Sequence, residues 1–196
     1  MDSIDKYIQV KSNDLAPATG RLLLSEPLMG DYYFGRSVIL LAEHNDEGSF
    51  GVIINKPLTQ PFNEAVPNFP AFTGNLHLGG PVENNALFYI HTFGDLIEGS
   101  VPIGNGFYWG GEIEMIKELI LFGKLSSDNI SFYAGYSGWS PSQLQSELKR
   151  NSWVVSACPT DNVLNFDAGS MWQKLLVSMG DEYKYWSKFP KNPGMN

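Results

Sequence analysis

The chain has 196 residues, 43% of them hydrophobic and 17% charged, a balance that suits a globular domain and excludes a disordered tail. A chain of this length buries roughly 70% of the surface its unfolded form exposes, so it needs no disulfide or structural metal to fold. Its 21 acids against 13 bases leave a net charge of −8, which works against binding a polyanion such as duplex DNA.

Residues 1–16 are polar with sparse apolar positions and read as an N-terminal arm or loose helix ahead of a single domain over 17–196. They lack a basic region followed by an apolar stretch, so no signal peptide is read. No apolar run approaches the ~20 residues that span a bilayer. The one cysteine, Cys158, has no intramolecular partner. A reducing cytoplasm is the expected location, with no membrane association.

Residues 21–25 form the first expected strand. Residues 36–42 and 49–55, separated by the turn 44–48, read as an antiparallel hairpin, and their nearly continuous apolar character places it inside the domain. Lys56-Pro57 stops the second strand, because proline lacks a ladder donor and restricts the residue before it. Residues 57–74 carry four prolines and suggest a short helix within a loop. Strands are expected at 75–78 and 86–92, on either side of Gly79-Gly80-Pro81, and shorter ones at 100–103 and 106–109. Residues 112–122 read as a helix: Ile113, Ile116 and Ile120 recur at helical spacing and Gly123 is placed to end it.

A buried strand follows at 130–136. Ser140-Pro141-Ser142-Gln143 has the form of a capping box and opens a helix carrying Leu144 and Leu148. Residues 152–157 form the last strand, ended by Cys158-Pro159. Asp167 caps a helix running to Met179, with Gly180 beyond it. Near the C-terminus, Lys184, Lys188 and Lys191 interleave with Tyr183, Tyr185, Trp186 and Phe189. This reads as a final helix or tail whose aromatics pack on the core while its lysines face water. Adjacent strands first and helices later favour an α+β fold over a βαβ repeat.

The motifs of chemistry are mostly missing. His44, His77 and His91 have no metal-ligand spacing, and no cofactor fingerprint is present. Gly135-Tyr136-Ser137-Gly138 lies between a strand and a helix, but Trp139 occupies the position that a nucleophile elbow fills with glycine. Cys158 reads as a small buried hydrophobe.

One constellation is more distinctive. Asp31, Phe34 and Arg36-Ser37-Val38-Ile39 precede His44, Gly48, Gly51 and Ile54-Asn55-Lys56-Pro57. Gly79-Gly80-Pro81-Val82, His91, Gly135-Tyr136, Gly138-Trp139 and Gln143-Leu144 follow. In this order and spacing the chain resembles the YqgE/AlgH family of small bacterial proteins, from about residue 20 to residue 153. It departs from many members where Ala86-Leu87 replaces an Arg-Gly pair and where Ser140 and Ser142 replace glycines. The resemblance implies an α+β fold with a mostly antiparallel, barrel-like sheet flanked by helices. It brings no established enzymatic activity. The label of transcriptional regulator attaches to the family through a member linked to alginate production.

Two readings of these residues stand side by side. In the first they are a folding signature of turns and close strand packing. In the second, Arg36, His44, Asn55, Lys56 and His91 supply polar groups at one end of the sheet, beside Gly79, Gly80 and Gly138. Tyr136 and Trp139 then form an aromatic wall for a small anionic ligand or a partner peptide. The functional expectation is a non-enzymatic domain that binds a small molecule or a protein partner, with a regulatory role. A hydrolase using His44 or His91 and a regulator that binds DNA directly are the alternatives.

Overall fold

The computed structural model describes residues 13–159, 164 and 166–190. Residues 1–12 of the expected N-terminal arm, and Lys191, lie outside the described residues. Ten strands form one sheet: β1 (Leu22–Ser25), β2 (Val38–Asn45), β3 (Gly48–Ile53), β4 (Pro57–Pro61), β5 (Asn75–Leu78), β6 (Val82–His91), β7 (Ser100–Gly104), β8 (Phe107–Gly110), β9 (Ile130–Trp139) and β10 (Trp153–Ser156). Among the described residues five α-helices accompany them: α1 (Phe62–Ala65), α2 (Ile113–Leu121), α3 (Gln143–Lys149), α4 (Ala168–Ser178) and α5 (Asp181–Trp186).

The strand path runs β10-β1-β2-β3-β9-β6-β8-β7, with β5 pairing on β9 and β4 on β5. Every pairing is antiparallel except β5 with β9. The fold is therefore α+β with a mostly antiparallel sheet, as expected. The ladder does not close into a barrel: β10, β7 and β4 remain edges. The two flanks approach where Asn105 Nδ2, in the β7–β8 turn, donates to the Gly20 carbonyl just ahead of β1 at 2.9 Å.

Both faces of the central strands are buried, which explains their unbroken apolar runs. Leu22, Leu24, Val38, Leu40 and Val52 point to one face and pack against Trp172, Leu175 and Leu176 of α4 and Trp186 of α5. The alternate residues Leu23, Ile39, Leu41 and Ile53 point to the other, where Leu144 of α3, Trp139 and Trp153 cover them. Farther along that second face, α1 and α2 bring Phe62, Ile116 and Ile120 onto Leu76, Ile130 and Phe132. Burying each such side chain stabilises the fold by about 1.5–3 kcal/mol.

The hairpin of β2 and β3 lies in the middle of the path, between β1 and β9. Residues 57–74 contain the expected short helix, α1, but also β4, which sequence reading passed over. Pro57 and Pro61 are tolerated there because β4 is an outer strand that pairs with β5 alone. The capping box at Ser140 is half made. Gln143 Oε1 accepts from the Ser140 amide at 3.0 Å, but α3 opens at Gln143 behind Ser142, whose backbone is left-handed and whose side chain forms no cap. Asp167 caps α4 as expected, accepting from the Gly169 amide at 3.3 Å. Near the C-terminus Tyr183 and Trp186 are buried and Lys184 and Lys188 exposed, whereas Tyr185 faces outward beneath the Lys188 ammonium.

Candidate functional site

Arg36, Asn55 and Lys56 meet at one end of β2 and β3. Arg36 precedes β2 with a left-handed backbone, φ +53°. That conformation is costly for a residue with a Cβ, and such strain concentrates at functional positions. Asn55, two residues past β3, holds it in place. Its Nδ2 donates to the Arg36 carbonyl at 2.9 Å and its Oδ1 accepts from the Val38 amide at 2.8 Å, so one carboxamide spans the bend. Lys56 Nζ donates to the carbonyls of Tyr32 and Tyr33, fixing the loop that leads into Arg36. In the same loop Asp31 Oδ1 accepts from the amides of Tyr33 at 2.7 Å and Phe34 at 2.9 Å.

Around these residues lies a cavity of about 740 Å³, enclosed by the 27–36 loop, the β3–β4 junction and the first turns of α4. Its polar groups come from Asp31, Arg36, Asn55, Lys56 and Gln173, and its apolar wall includes Trp172 and Leu78. The Arg36 guanidinium carbon sits 5.1 Å from the centre of the Trp172 ring, in cation–π contact. Trp172 is itself anchored by its indole N–H, which donates to the Ser25 carbonyl at 3.0 Å. The guanidinium also donates from Nη2 to the Phe189 carbonyl. No carboxylate among the described residues lies within ion-pair distance of it. Partial burial lowers the Arg36 pKa from its ordinary value without threatening its charge. Tyr32, 82% exposed, stands at the rim.

The remaining expected site residues lie elsewhere. His44 is at the far end of β2, its Nδ1 2.6 Å from Ser49 Oγ, its direct cross-strand neighbour in the β2–β3 ladder. His91 is fully buried. Phe93 N–H donates to its Nδ1 at 3.2 Å, so Nε2 carries the proton and donates to the Gly110 carbonyl at 3.0 Å. Its ring stacks on Tyr108 at 5.9 Å, and burial lowers its pKa. That is the environment of a satisfied, neutral core histidine. Neither histidine lines the cavity.

Tyr136 and Trp139 do not share a wall. They are three residues apart on β9, and an odd separation sends strand side chains to opposite faces. Tyr136 packs with Phe50 and Phe88 on the face that meets α4 and α5. Trp139 is 6% exposed on the other face, edge-on to Trp153 at 5.9 Å. One oxygen of Glu147, Oε2, accepts from both indoles, at 2.8 Å from Trp139 and 2.7 Å from Trp153. Gly138 is exposed on β9 opposite Phe50.

Gly79 and Gly80 run so close to β9 that added Cβ atoms would stand 2.0 Å from the Gly135 oxygen and 2.2 Å from the Tyr136 oxygen. Close packing alone accounts for glycine at both positions. Cys158 is buried, which pushes its thiol up to about 11 and keeps it protonated.

Sequence reading thus finds three members of the cavity and misses Trp172 and Gln173. Trp172 carries the hydrophobic spacing of a core helix, and that spacing hides its second contact with Arg36.

The overall fold is shared with two solved structures. One is a crystal structure of a protein from Corynebacterium diphtheriae, with TM-score 0.75 and 22% identity over 96% of this chain and 100% of that one. The other is the solution structure of the AlgH protein from Pseudomonas aeruginosa, with TM-score 0.69 and 23% identity over 91% and 98%. Sequence gives the family itself. The profile of the AlgH-like family DUF179 matches residues 22–184. A UPF0301 protein of Bacteroides fragilis is 42% identical over 96% of both chains. Another from Bacteroides thetaiotaomicron is 42% identical over 99% of this chain and all of its own. The chain belongs to the YqgE/AlgH family. Among its described residues, no helix is long and apolar enough to cross a membrane.

Proposed function

We propose that the chain is a ligand-binding domain whose cavity beside Arg36 receives a small anion, a carboxylate or a phosphate monoester, with an apolar body. The observation that carries this reading is the Arg36 guanidinium, stacked on Trp172 at the cavity with no carboxylate within ion-pair distance among the described residues. Charge-assisted hydrogen bonds from such a group to a carboxylate or phosphate are about twice as strong as neutral ones. The left-handed backbone at Arg36 and the two bonds from Asn55 preorganise it, which lowers the cost of binding. Leu78, Pro57 and the Trp172 ring offer contact for an apolar or planar body.

The reading is one of binding without turnover, because neither His44 nor His91 reaches the cavity. Thermal shift against inorganic phosphate, succinate, citrate and adenosine monophosphate tests it. A ligand present at about ten times its dissociation constant stabilises by roughly 1.4 kcal/mol. That corresponds to about 3–6 °C in a chain of this size. At least one probe is expected to produce the shift in the wild type and none in Arg36→Gln. A panel that shifts neither protein sinks the reading.

A further inference from the structure

Two residues that line the cavity direct their side-chain donors at the same short piece of chain. Arg36 Nη2 donates to the Phe189 carbonyl, and Gln173 Nε2 donates to the Ser187 carbonyl at 3.2 Å. This piece follows α5, whose Tyr183 and Trp186 are buried edge to face in the main core and form a fixed root. Beyond the buried Ser187 the attachment becomes shallower, with the Phe189 ring still packed against the main core. Lys188 and Pro190 are exposed and the Phe189 ring is only half-buried. The turn closes on itself through Lys188 N–H to the Tyr185 carbonyl and Phe189 N–H to the Trp186 carbonyl, each at 3.1 Å.

We propose that residues 187–189 form a strap that occupies the cavity's donors when no ligand is bound and is displaced by the ligand. This rests on the anion-binding reading above and adds its regulation. A main-chain carbonyl is a neutral acceptor, and a carboxylate or phosphate oxygen makes the stronger bond to a guanidinium. An end-on anion takes one Nη2 hydrogen together with Nη1 and a side-on anion takes the other together with Nε, so the Phe189 carbonyl on Nη2 occupies one of the two two-pronged approaches. Strap and ligand compete for that side of Arg36. The apparent affinity is then the intrinsic affinity reduced by the fraction of molecules with the strap open. Ligand binding is thereby read out at the C-terminal end of the chain, where a released segment becomes available to a partner or a protease.

Amide hydrogen exchange of the full chain, with and without inorganic phosphate, together with phosphate titration of wild type and Phe189→Ala, tests this. Phe189 does not line the cavity, so trimming its ring loosens the strap and leaves the binding groups intact. Phosphate is expected to speed exchange at the 187–189 amides of the wild type while slowing it at residues around Arg36. Phe189→Ala is expected to bind phosphate tighter by about three- to tenfold, because more of its molecules are already open. If phosphate binds both proteins equally and leaves exchange at 187–189 unchanged or slower, the strap is refuted and the anion site stands. If neither phosphate nor any other anion of the panel binds either protein at up to roughly 10 mM, a range that covers weak millimolar affinities, the anion site fails and the strap with it. The exchange experiment on the wild type decides the matter even where the variant is unstable.

Discussion

Replacing Asn55 by alanine removes both hydrogen bonds that hold the Arg36 bend. The Val38 amide loses its acceptor at 2.8 Å, and Val38 is fully buried, so water cannot substitute freely. An orphaned buried donor costs about 1–3 kcal/mol, and losing the bond to the Arg36 carbonyl adds about 1 kcal/mol. The sum of about 2–4 kcal/mol corresponds to a fall in Tm of roughly 4–16 °C. Urea denaturation followed by tryptophan fluorescence measures it, through a lower midpoint at unchanged slope. The structure makes a second, sharper demand. Part of the cost arises because Asn55 keeps Arg36 in its left-handed conformation. Glycine adopts that conformation freely, so in an Arg36→Gly background the same Asn55→Ala change is expected to cost about 1 kcal/mol less. An Asn55→Ala protein as stable as the wild type, or a cost identical in both backgrounds, refutes the assigned role of Asn55.

Two further outcomes follow from the packing away from the cavity. Glu147→Ala leaves the indole N–H groups of the buried Trp139 and Trp153 without their shared acceptor, at about 1–3 kcal/mol for each; near-ultraviolet circular dichroism should lose the signal of fixed tryptophans, and an unchanged spectrum and midpoint would count against the bridge. Burial lowers the folded pKa of both His91 and His77 below their unfolded value of about 6.5. The unfolded chain therefore binds more protons, and the stability these residues contribute is complete above pH ~6.5 and is lost as pH falls below it. Denaturation midpoints measured from pH 7.5 down to about 5 should decline, and less steeply for His91→Gln. A slope unaffected by that substitution contradicts the neutral, buried assignment of His91.

Much of the fold is legible in the chain because local and global signals agree. The apolar runs of β2 and β3 mark strands buried on both faces, and Gly123 and Asp167 stand where α2 and α4 end and begin. β4 is not legible, since Pro57 and Pro61 argue against a strand until its position at the edge of the sheet is known. The cavity is only half legible. Arg36, Asn55 and Lys56 announce themselves as polar residues at strand ends, but Trp172 and Gln173 join them from more than a hundred residues away. His91 misleads for a related reason. An isolated histidine in a strand looks available until its partners at Gly110 and Phe93 are seen. Trp139 misleads because the carboxylate that binds its indole belongs to the following helix, at Glu147.

The central claim is that the cavity beside Arg36 is an anion site. A titration of the isotopically labelled protein with inorganic phosphate, watching the Arg36 Nε–Hε and Trp172 indole resonances by NMR, tests it most directly. Both resonances should move together and saturate, while the amides of His44 on β2 and Gly138 on β9, both beside the opposite end of β3, stay still. A titration that leaves Arg36 and Trp172 unmoved, or that moves His44 first, contradicts the account.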